Sequence, residues 1–200
     1  MTDSEREDDE HVAWPVPLSG VTESVVTTLG PNGEWNVAAL GLFAGDDDEP
    51  VTATTWGNTR TRRNFHRQGE GYVQFTTDPL TFVEAALSIT EREEPVIESA
   101  DAWVRVTVET VDAGEEDGTR WEEWALHPLE AAVENERVGT IDRGTNAVIE
   151  ATVAASRLEV PSYDTDELRD RLAHYESVVS RAGGPREKAA LERVREYSSW

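Results

Sequence analysis

The chain has 200 residues, of which 38% are hydrophobic, so it can bury the core of one large domain or of one domain with a modest appendage. Asp and Glu number 41 against 18 Lys and Arg, and the resulting formal net charge of -23 disfavours nucleic acid and anionic membranes as partners. There is no cysteine, which excludes disulfides, thiolate nucleophiles and cysteine-bound metal centres.

The N-terminal part begins with an acidic stretch and continues as a hairpin. Residues 1–12 have the composition of a disordered tail, and they lack the basic start and apolar run of a secretory signal. Alternating apolar positions in 21–29 predict a half-buried strand, and GPNG at 30–33 supplies turn residues. Residues 34–43 then predict the returning strand.

Further strands follow along the chain. The β-branched run at 51–56 and the segments 71–76 and 103–111 predict one strand each, and 120–138 predicts one or two more. Strands joined by short connections, with few helices between them, are typical of an antiparallel barrel rather than of βαβ units. No segment has the apolar length of a membrane-spanning helix.

Two helices are predicted between these strands. Asn58 and Thr59 can cap a helix that begins near Arg60. Asp78 is a candidate N-cap for a second helix, because Pro79 suits its first position.

The C-terminal part is helical. Residues 146–158 form a continuous helical pattern, DTDE at 164–167 predicts the cap of a second helix, and GGP at 183–185 separates that helix from a third. We therefore predict three parts, which are a disordered acidic tail at 1–12, a β-barrel domain at 13–140 and a helical domain at 141–200.

Residues 56–67, here called the arginine island, read WGNTRTRRNFHR and contain no acidic residue. Arg60, Arg63 and Arg67 are spaced to share one helix face. Guanidinium groups, threonine hydroxyls and the free N–H groups of a helix start are the donors that a phosphate group needs. The same arginines can instead pair with surface carboxylates, which contribute little to stability. The composition alone leaves both interpretations open.

A longer pattern extends from the island. TRTRRNF at 59–65, followed by GYVQFTTDPLTFVEAAL at 71–87, resembles the motifs Ser-Arg-Thr-x-x-Asn-Leu and F-V-V-N-I-T-D-D-P-L of an archaeal family catalogued as domain of unknown function 447. The hairpin at 21–43 and RGTNAVIEATVAASRLEV at 143–160 resemble other segments of that family. Its members are similar to the FMN-binding split barrels of flavin reductases. The resemblance implies a mainly β fold with α-helices, in which a split β-barrel precedes a C-terminal helical segment.

The resemblance also implies where FMN would bind. The motif positions at the phosphate and ribityl chain are occupied by Thr59, Arg60, Thr61 and Asn64. The strand that passes the isoalloxazine ring carries Asn36, Ala38, Ala39 and Gly41. Gln74 stands where the family's strand usually has Asn. Packing by a neighbouring strand or helix is the alternative explanation for the small residues. Trp56 either borders the flavin or belongs to the core or an interface.

The resemblance implies a homodimer that binds FMN and acts as a flavin-dependent oxidoreductase, with a nicotinamide or a deazaflavin as electron donor. The acidic N-terminus, which lacks the features of a secretory signal, leads us to expect a cytoplasmic protein. Two alternatives stay open, namely a flavin- or phosphate-ligand-binding protein without turnover, and an interaction module whose helices bind a protein partner. The four scattered histidines predict no metal site, and the catalytic residues are not identified. The acidic composition, with Lys188 as the only lysine, resembles haloarchaeal protein surfaces.

Overall fold

The computed structural model describes residues 12–45 and 49–200. Its strands are β1 (Val21–Leu29), β2 (Trp35–Phe43), β3 (Val51–Trp56), β4 (Glu70–Phe75), β5 (Thr90–Arg92), β6 (Ala102–Glu116) and β7 (Thr119–Val133). Its helices are α1 (Arg60–Gln68), α2 (Pro79–Leu87), α3 (Arg143–Ala155), α4 (Thr165–Ala182) and α5 (Pro185–Tyr197). The predicted tail at 1–12 lies outside the described residues except for Val12. Within the described ranges, no helix is both long and apolar enough to cross a membrane.

Six antiparallel strands close into a barrel in the order β1-β4-β6-β7-β3-β2, because β2 pairs back onto β1. The β1–β2 hairpin is in register along its whole length, from Val21 opposite Phe43 to Leu29 opposite Trp35. β5 lies outside this ring and pairs with the first residues of β2. The predicted barrel with helices is therefore confirmed.

The barrel is split between β2 and β3. These strands pair at only two positions, Leu42 with Ala53 and Phe43 with Thr52. β3 instead pairs with β7 along its whole length. The strands on either side of the split thus separate after a short contact, and the backbone next to it is left open to other groups.

Apolar side chains from every barrel strand fill the interior. The buried residues include Val26, Leu42, Ala53, Val73, Val104 and Leu126. Burying a side chain of the size of Leu or Val contributes about 1.5 to 3 kcal/mol to folding. The N-terminal residues Trp14, Val16 and Leu18 pack against this core. Because the interior is occupied by side chains, space for a ligand has to lie on the outside of the barrel.

Helices α2 to α5 share a second apolar core. Val83 of α2 packs there with Val148 of α3, Leu172 of α4 and Val194 of α5. The opposite side of α2 contacts the β1–β2 hairpin through Ala85. α2 therefore joins the two layers, although the sequence places it in the predicted barrel domain. The segment 134–142 between the layers has no regular structure, and the boundary near 140 stays a prediction.

The start of α3 approaches the turn between α4 and α5 closely. A Cβ at Gly144 would lie 2.7 Å from the Cα of Gly183, so this contact requires glycine at 144. A Cβ at Gly183 would lie 2.7 Å from the carbonyl oxygen of Val179, so that position is restricted by its own helix. Asp142 caps α3 by accepting hydrogen bonds from the N–H groups of Gly144 and Thr145 at 2.7 and 3.0 Å. These interactions start the helix three residues earlier than the predicted 146.

The predicted strands and helix caps agree well with the structure. Thr59, Asp78 and Asp164 cap α1, α2 and α4 as expected. The region 120–138 contains one strand, which agrees with the predicted one or two, although it ends at Val133. The other differences are that β6 continues to Glu116 rather than 111, that α3 ends at Ala155 rather than 158, and that β5 has no counterpart among the predictions. β5 is only three residues long, which is too short to show a periodic pattern.

Candidate functional site

A cleft of about 460 Å³ lies at the split. Residues of β2 and β3 line it, together with the start of α1 and with parts of α2 and α3. The predicted site residues found on this cleft are Ala38, Ala39, Gly41, Thr59 and Thr61. The fold therefore brings together residues from the hairpin and from the arginine island, which are separated in the sequence.

The start of α1 offers hydrogen-bond donors to the cleft. Thr59 is the N-cap, and its hydroxyl oxygen accepts a hydrogen bond from the N–H of Arg62 at 3.2 Å. The N–H groups of Arg60 and Thr61 lie in the first turn, where a helix provides no carbonyl acceptor. Free N–H groups and the positive end of the helix dipole favour an anion. This end of the cleft has the chemistry of a phosphate site.

Three arginines of the island do not meet at one point. Arg60 donates to a carboxylate oxygen of Glu91 at 2.7 Å. Arg63 donates to the backbone carbonyl of Asn58 at 2.9 Å, and Arg67 donates to the carbonyl of Leu29. Of the three, Arg60 is the one whose N–H belongs to the first turn of α1. The shared helix face of Arg60, Arg63 and Arg67 therefore does not form a joint phosphate clamp.

Arg62 and His66 converge on Glu122 of β7, away from the cleft lining. The Arg62 guanidinium pairs with this carboxylate, and Nε2 of His66 lies 2.6 Å from its other oxygen. Hydrogen bonding from Arg62 lowers the pKa of Glu122 below its ordinary value, and His66 adds to this effect while burial opposes it. The ring of His66 packs edge-on against Trp124. This cluster fixes α1 to the barrel.

The small residues of β2 have two different surroundings. Ala38 packs against the barrel core, and Ala39 packs against the apolar cluster through which Ala85 of α2 contacts the β1–β2 hairpin. Packing by neighbouring elements therefore explains the small size of both residues. At Gly41, a Cβ would meet only Val21 and Glu23, at 3.5 Å and beyond, so tight packing does not explain this glycine. Trp56 also lines the cleft and is 49% exposed, so it is not a core residue.

The predicted amide side chains lie elsewhere. Asn64 is buried and donates to the carbonyl and hydroxyl oxygens of Thr28 at 3.2 and 2.9 Å. Gln74 is fully buried and bonds Pro95 and Ile97 through both ends of its amide. Asn36 is buried and is not on the cleft lining. Direct contact between these three side chains and a ligand stays a prediction that their packing does not support.

The sequence interpretation missed one side of the cleft. α2 contributes Phe82, Ala85 and Ala86, and the C-terminal half of α3 with the residues after it contributes Thr152, Val153, Ser156 and Arg157. The guanidinium of Arg157 lies 5.2 Å from the centre of the Tyr163 ring. These residues show an ordinary helical pattern in the sequence, and only the packing of the helices onto the barrel brings them to the site.

Glu23 of β1 stands between this cleft and a neighbouring one of about 480 Å³. The neighbouring cleft is bounded by the starts of α2 and α3 and by residues of the segment 134–142. Partial burial raises the pKa of the Glu23 carboxyl above its ordinary value. Glu150 on α3 raises it further, whereas Arg157 lowers it.

Two family descriptions match this chain and together cover most of it. The N-terminal domain of the protein of unknown function DUF447 matches residues 22–135, and a second DUF447 domain matches residues 142–196. The chain belongs to the DUF447 family. The predicted family resemblance is thereby confirmed.

Solved structures of similar fold include one DUF447 protein. This FMN-bound protein from Methanosarcina mazei is 25% identical, with a TM-score of 0.76 over 90% of this chain and 96% of that one. Component B of nitrilotriacetate monooxygenase from Bacillus cereus is 17% identical, with a TM-score of 0.44 over 62% and 74% of the two chains. Flavoredoxin from Methanosarcina acetivorans is 12% identical, with a TM-score of 0.43 over 64% and 79%.

Proposed function

We propose that this DUF447 protein binds FMN in the cleft at the barrel split and uses it in a flavin-dependent oxidoreductase reaction. The observation that carries the proposal is that Thr59 and Thr61, at a helix start whose first N–H groups are free to bind an anion, line the same cleft as Ala38 and Gly41 of β2. The FMN-bound relative from Methanosarcina mazei, which is similar over 90% of this chain, supports the same ligand.

The start of α1 would hold the phosphate. The N–H groups of Arg60 and Thr61 and the hydroxyls of Thr59 and Thr61 are the donors at this helix start. The Arg60 side chain is not on the cleft lining, but its guanidinium can add a positive charge beside it. Arg60 is paired with Glu91, but both side chains are more than a third exposed. Exposed ion pairs contribute about 0 to 1 kcal/mol, so the arginine can exchange this partner for a phosphate at little cost.

The wall formed by β2 would hold the isoalloxazine ring. Gly41 leaves its backbone accessible to a flat group, Ala38 and Ala39 border the same cleft, and Trp56 supplies an exposed aromatic surface beside them. Asn64 and Gln74 would support the site indirectly. Asn64 fixes α1 to β1, and Gln74 fixes the segment around Pro95.

Bound FMN supplies one- or two-electron chemistry that amino acid side chains do not provide. The residues of the chain bind the phosphate and orient the ring, and a nicotinamide or a deazaflavin is the proposed electron donor. A binding protein without turnover is the second candidate. It is favoured by the small number of titratable side chains on the cleft, because Glu23 and Arg157 are the only ones among the described residues that line it.

A homodimer is the proposed assembly. Val138 and Ile141 in the segment 134–142 are 93% and 94% exposed, and Val138 borders the cleft next to the proposed FMN site. Large apolar side chains at such exposure favour burial against another surface. The mass of the purified protein by light scattering, compared with that of a Val138→Asp, Ile141→Asp variant, tests this assembly. A wild-type monomer would contradict it.

The redox proposal is tested by mixing the FMN-loaded protein anaerobically with NADH, NADPH or a reduced deazaflavin. We expect one donor to bleach the flavin absorbance far faster than it bleaches free FMN, and an added acceptor to restore the colour over repeated cycles. Tight FMN binding with bleaching no faster than free FMN for every donor would favour the binding protein. Absence of FMN binding would contradict both candidates.

A further inference from the structure

The carboxyl group of Glu23 lies over the bare backbone of Gly41. The two residues are direct partners in the β1–β2 hairpin. The carboxylate oxygens of Glu23 are 3.8 and 4.0 Å from the position that a Cβ of Gly41 would occupy. Because Gly41 has no side chain, this carboxyl group belongs to the wall of the cleft that we assign to the flavin ring.

No described residue donates a hydrogen bond to this carboxylate. It forms neither an ion pair nor a hydrogen bond with another side chain, and Arg157 acts on it only through its charge. Glu23 is an exposed residue, and surrounding protein removes only part of the water around its carboxyl group. A ligand that fills the cleft would displace further water from a carboxylate that has no other partner.

The charged groups around Glu23 come mainly from α3 and from the neighbouring cleft. On α3 and just after it, Glu150 repels its negative form and Arg157 attracts it. The neighbouring cleft adds the acidic residues Asp78, Asp142 and Glu187 and one arginine, Arg137. β2 and α2 present Gly41 and Phe82 at this point and add no charge. Of these groups, Glu150 and Arg157 shift the pKa of Glu23 in opposite directions, and partial burial is the larger cause that favours its neutral form.

We propose that Glu23 takes up a proton from solvent when a ligand occupies the cleft and returns it when the ligand leaves. This inference rests on the proposed FMN site. The physical reason is desolvation, because covering a carboxylate disfavours its charged form. A protonated carboxyl group also has an O–H donor, which can bond to a carbonyl oxygen or a ring nitrogen of the ligand. The Glu23 side of the cleft would therefore select an uncharged acceptor group, and the start of α1 would select the anionic end.

The direction of the pH dependence follows from these two states. The free protein already holds the pKa of Glu23 above its ordinary value, and a bound ligand raises it further. Between the two pKa values, binding takes up a proton, so affinity falls as the pH rises. The fall is at most about tenfold per pH unit for a single group.

Isothermal titration of the protein with FMN, in buffers that differ in their enthalpy of ionisation, measures the proton uptake directly. Wild type, Glu23→Gln and Glu109→Gln are compared at a series of pH values that begins at the ordinary glutamate pKa of 4.5 and extends upward, because the pKa of Glu23 is raised. Glu109 is an exposed carboxylate that lies off both clefts, so its variant is the matched control. The phosphate of FMN titrates near pH 6, but it contributes equally to all three proteins.

We expect wild type and Glu109→Gln to take up more protons per FMN than Glu23→Gln, with a difference that approaches one proton at its maximum. Equal uptake by all three would overturn the role of Glu23 while leaving the FMN site intact. Failure of the wild type to bind FMN at any pH would overturn the proposed function and this inference together. Carboxyl NMR of Glu23 gives a second readout, because its pKa must rise when FMN is added and must fall in a Glu150→Gln variant.

Discussion

The guanidinium of Arg60 lies 2.7 Å from the carboxylate of Glu91, so the arginine that we assign to phosphate binding already has an acidic partner. Glu91 belongs to β5, the short strand that pairs with the start of β2. A phosphate at the start of α1 has to compete with Glu91 for Arg60. The interaction is exposed and therefore weak, which makes such an exchange possible.

Arg60→Ala should reduce the affinity for FMN by roughly ten- to a hundredfold, because a hydrogen bond to a charged group contributes about 1.5 to 3 kcal/mol. Affinity for riboflavin, which has no phosphate, should be unchanged. Glu91→Gln should have the opposite effect and raise FMN affinity by a few fold. Arg63→Ala is the control, since Arg63 is exposed and its guanidinium donates to the backbone carbonyl of Asn58. Equal losses in Arg60→Ala and Arg63→Ala, measured by fluorescence titration, would contradict the assignment.

Gly41→Val should weaken FMN and riboflavin binding equally, by roughly ten- to a hundredfold. The added methyl groups would occupy part of the cleft in which we place the isoalloxazine ring. The fold should tolerate this change, since the nearest atoms to a Cβ at Gly41 are at ordinary contact distance and valine suits a strand. The melting temperature of the variant checks the fold. A selective loss of FMN affinity, with riboflavin unaffected, would place the phosphate rather than the ring beside Gly41.

Arg62→Ala should destabilise the protein, because it leaves the buried carboxylate of Glu122 with His66 alone. A loss of about 1.5 to 3 kcal/mol corresponds to a decrease of roughly 3 to 12 °C in melting temperature for a chain of this size. The pKa of Glu122 is lowered in the folded wild type, so its contribution is present above the ordinary value of 4.5 and is lost as the pH falls through the lower folded value.

The difference in melting temperature between wild type and Arg62→Ala should therefore be largest near neutral pH and should shrink below pH 4.5. FMN affinity, measured where both proteins are folded, should change little, since Arg62, His66 and Glu122 do not line the cleft. A difference that grows on acidification would show that the pair does not carry this part of the stability.

Salt should stabilise the folded chain. A net charge of -23 repels itself in dilute buffer, whereas the Debye length shrinks to roughly 3 Å at 1 M salt. We expect the melting temperature to rise steeply between dilute buffer and molar KCl. A melting temperature that is independent of salt would contradict this expectation and the likeness to haloarchaeal proteins.

The local signals in the sequence predict the fold well because they act over a few residues. Thr59, Asp78 and Asp164 each cap the helix that follows them. The alternation at 21–29 predicts β1 correctly as a strand, but not as a half-buried one, because Val26 faces the barrel core while Val25 packs against Ala85 of α2 on the other side. The motif in the arginine island also identifies the helix start that lines the cleft. Such features depend on neighbours in the chain, and they are therefore visible before the structure is known.

The rest of the site depends on contacts between distant segments. Asn64 and Gln74 look like ligand-binding amides in the sequence, yet their partners are Thr28 and Pro95 inside the protein. Arg157 occupies the end of an ordinary helical pattern, and only the packing of α3 against the barrel brings it to the cleft. Glu23 is one of many acidic residues, and its position opposite Gly41 distinguishes it only once the strands are paired.

Equilibrium titration of the wild-type protein with FMN and with riboflavin, at a salt concentration that keeps it folded, tests the central proposal most directly. A cleft with a phosphate site at the start of α1 should bind one FMN per chain and should bind it at least about tenfold more tightly than riboflavin, which corresponds to one charged hydrogen bond. Equal affinity for the two flavins would show that the start of α1 does not bind the phosphate. Absence of binding to either flavin would contradict the proposed function.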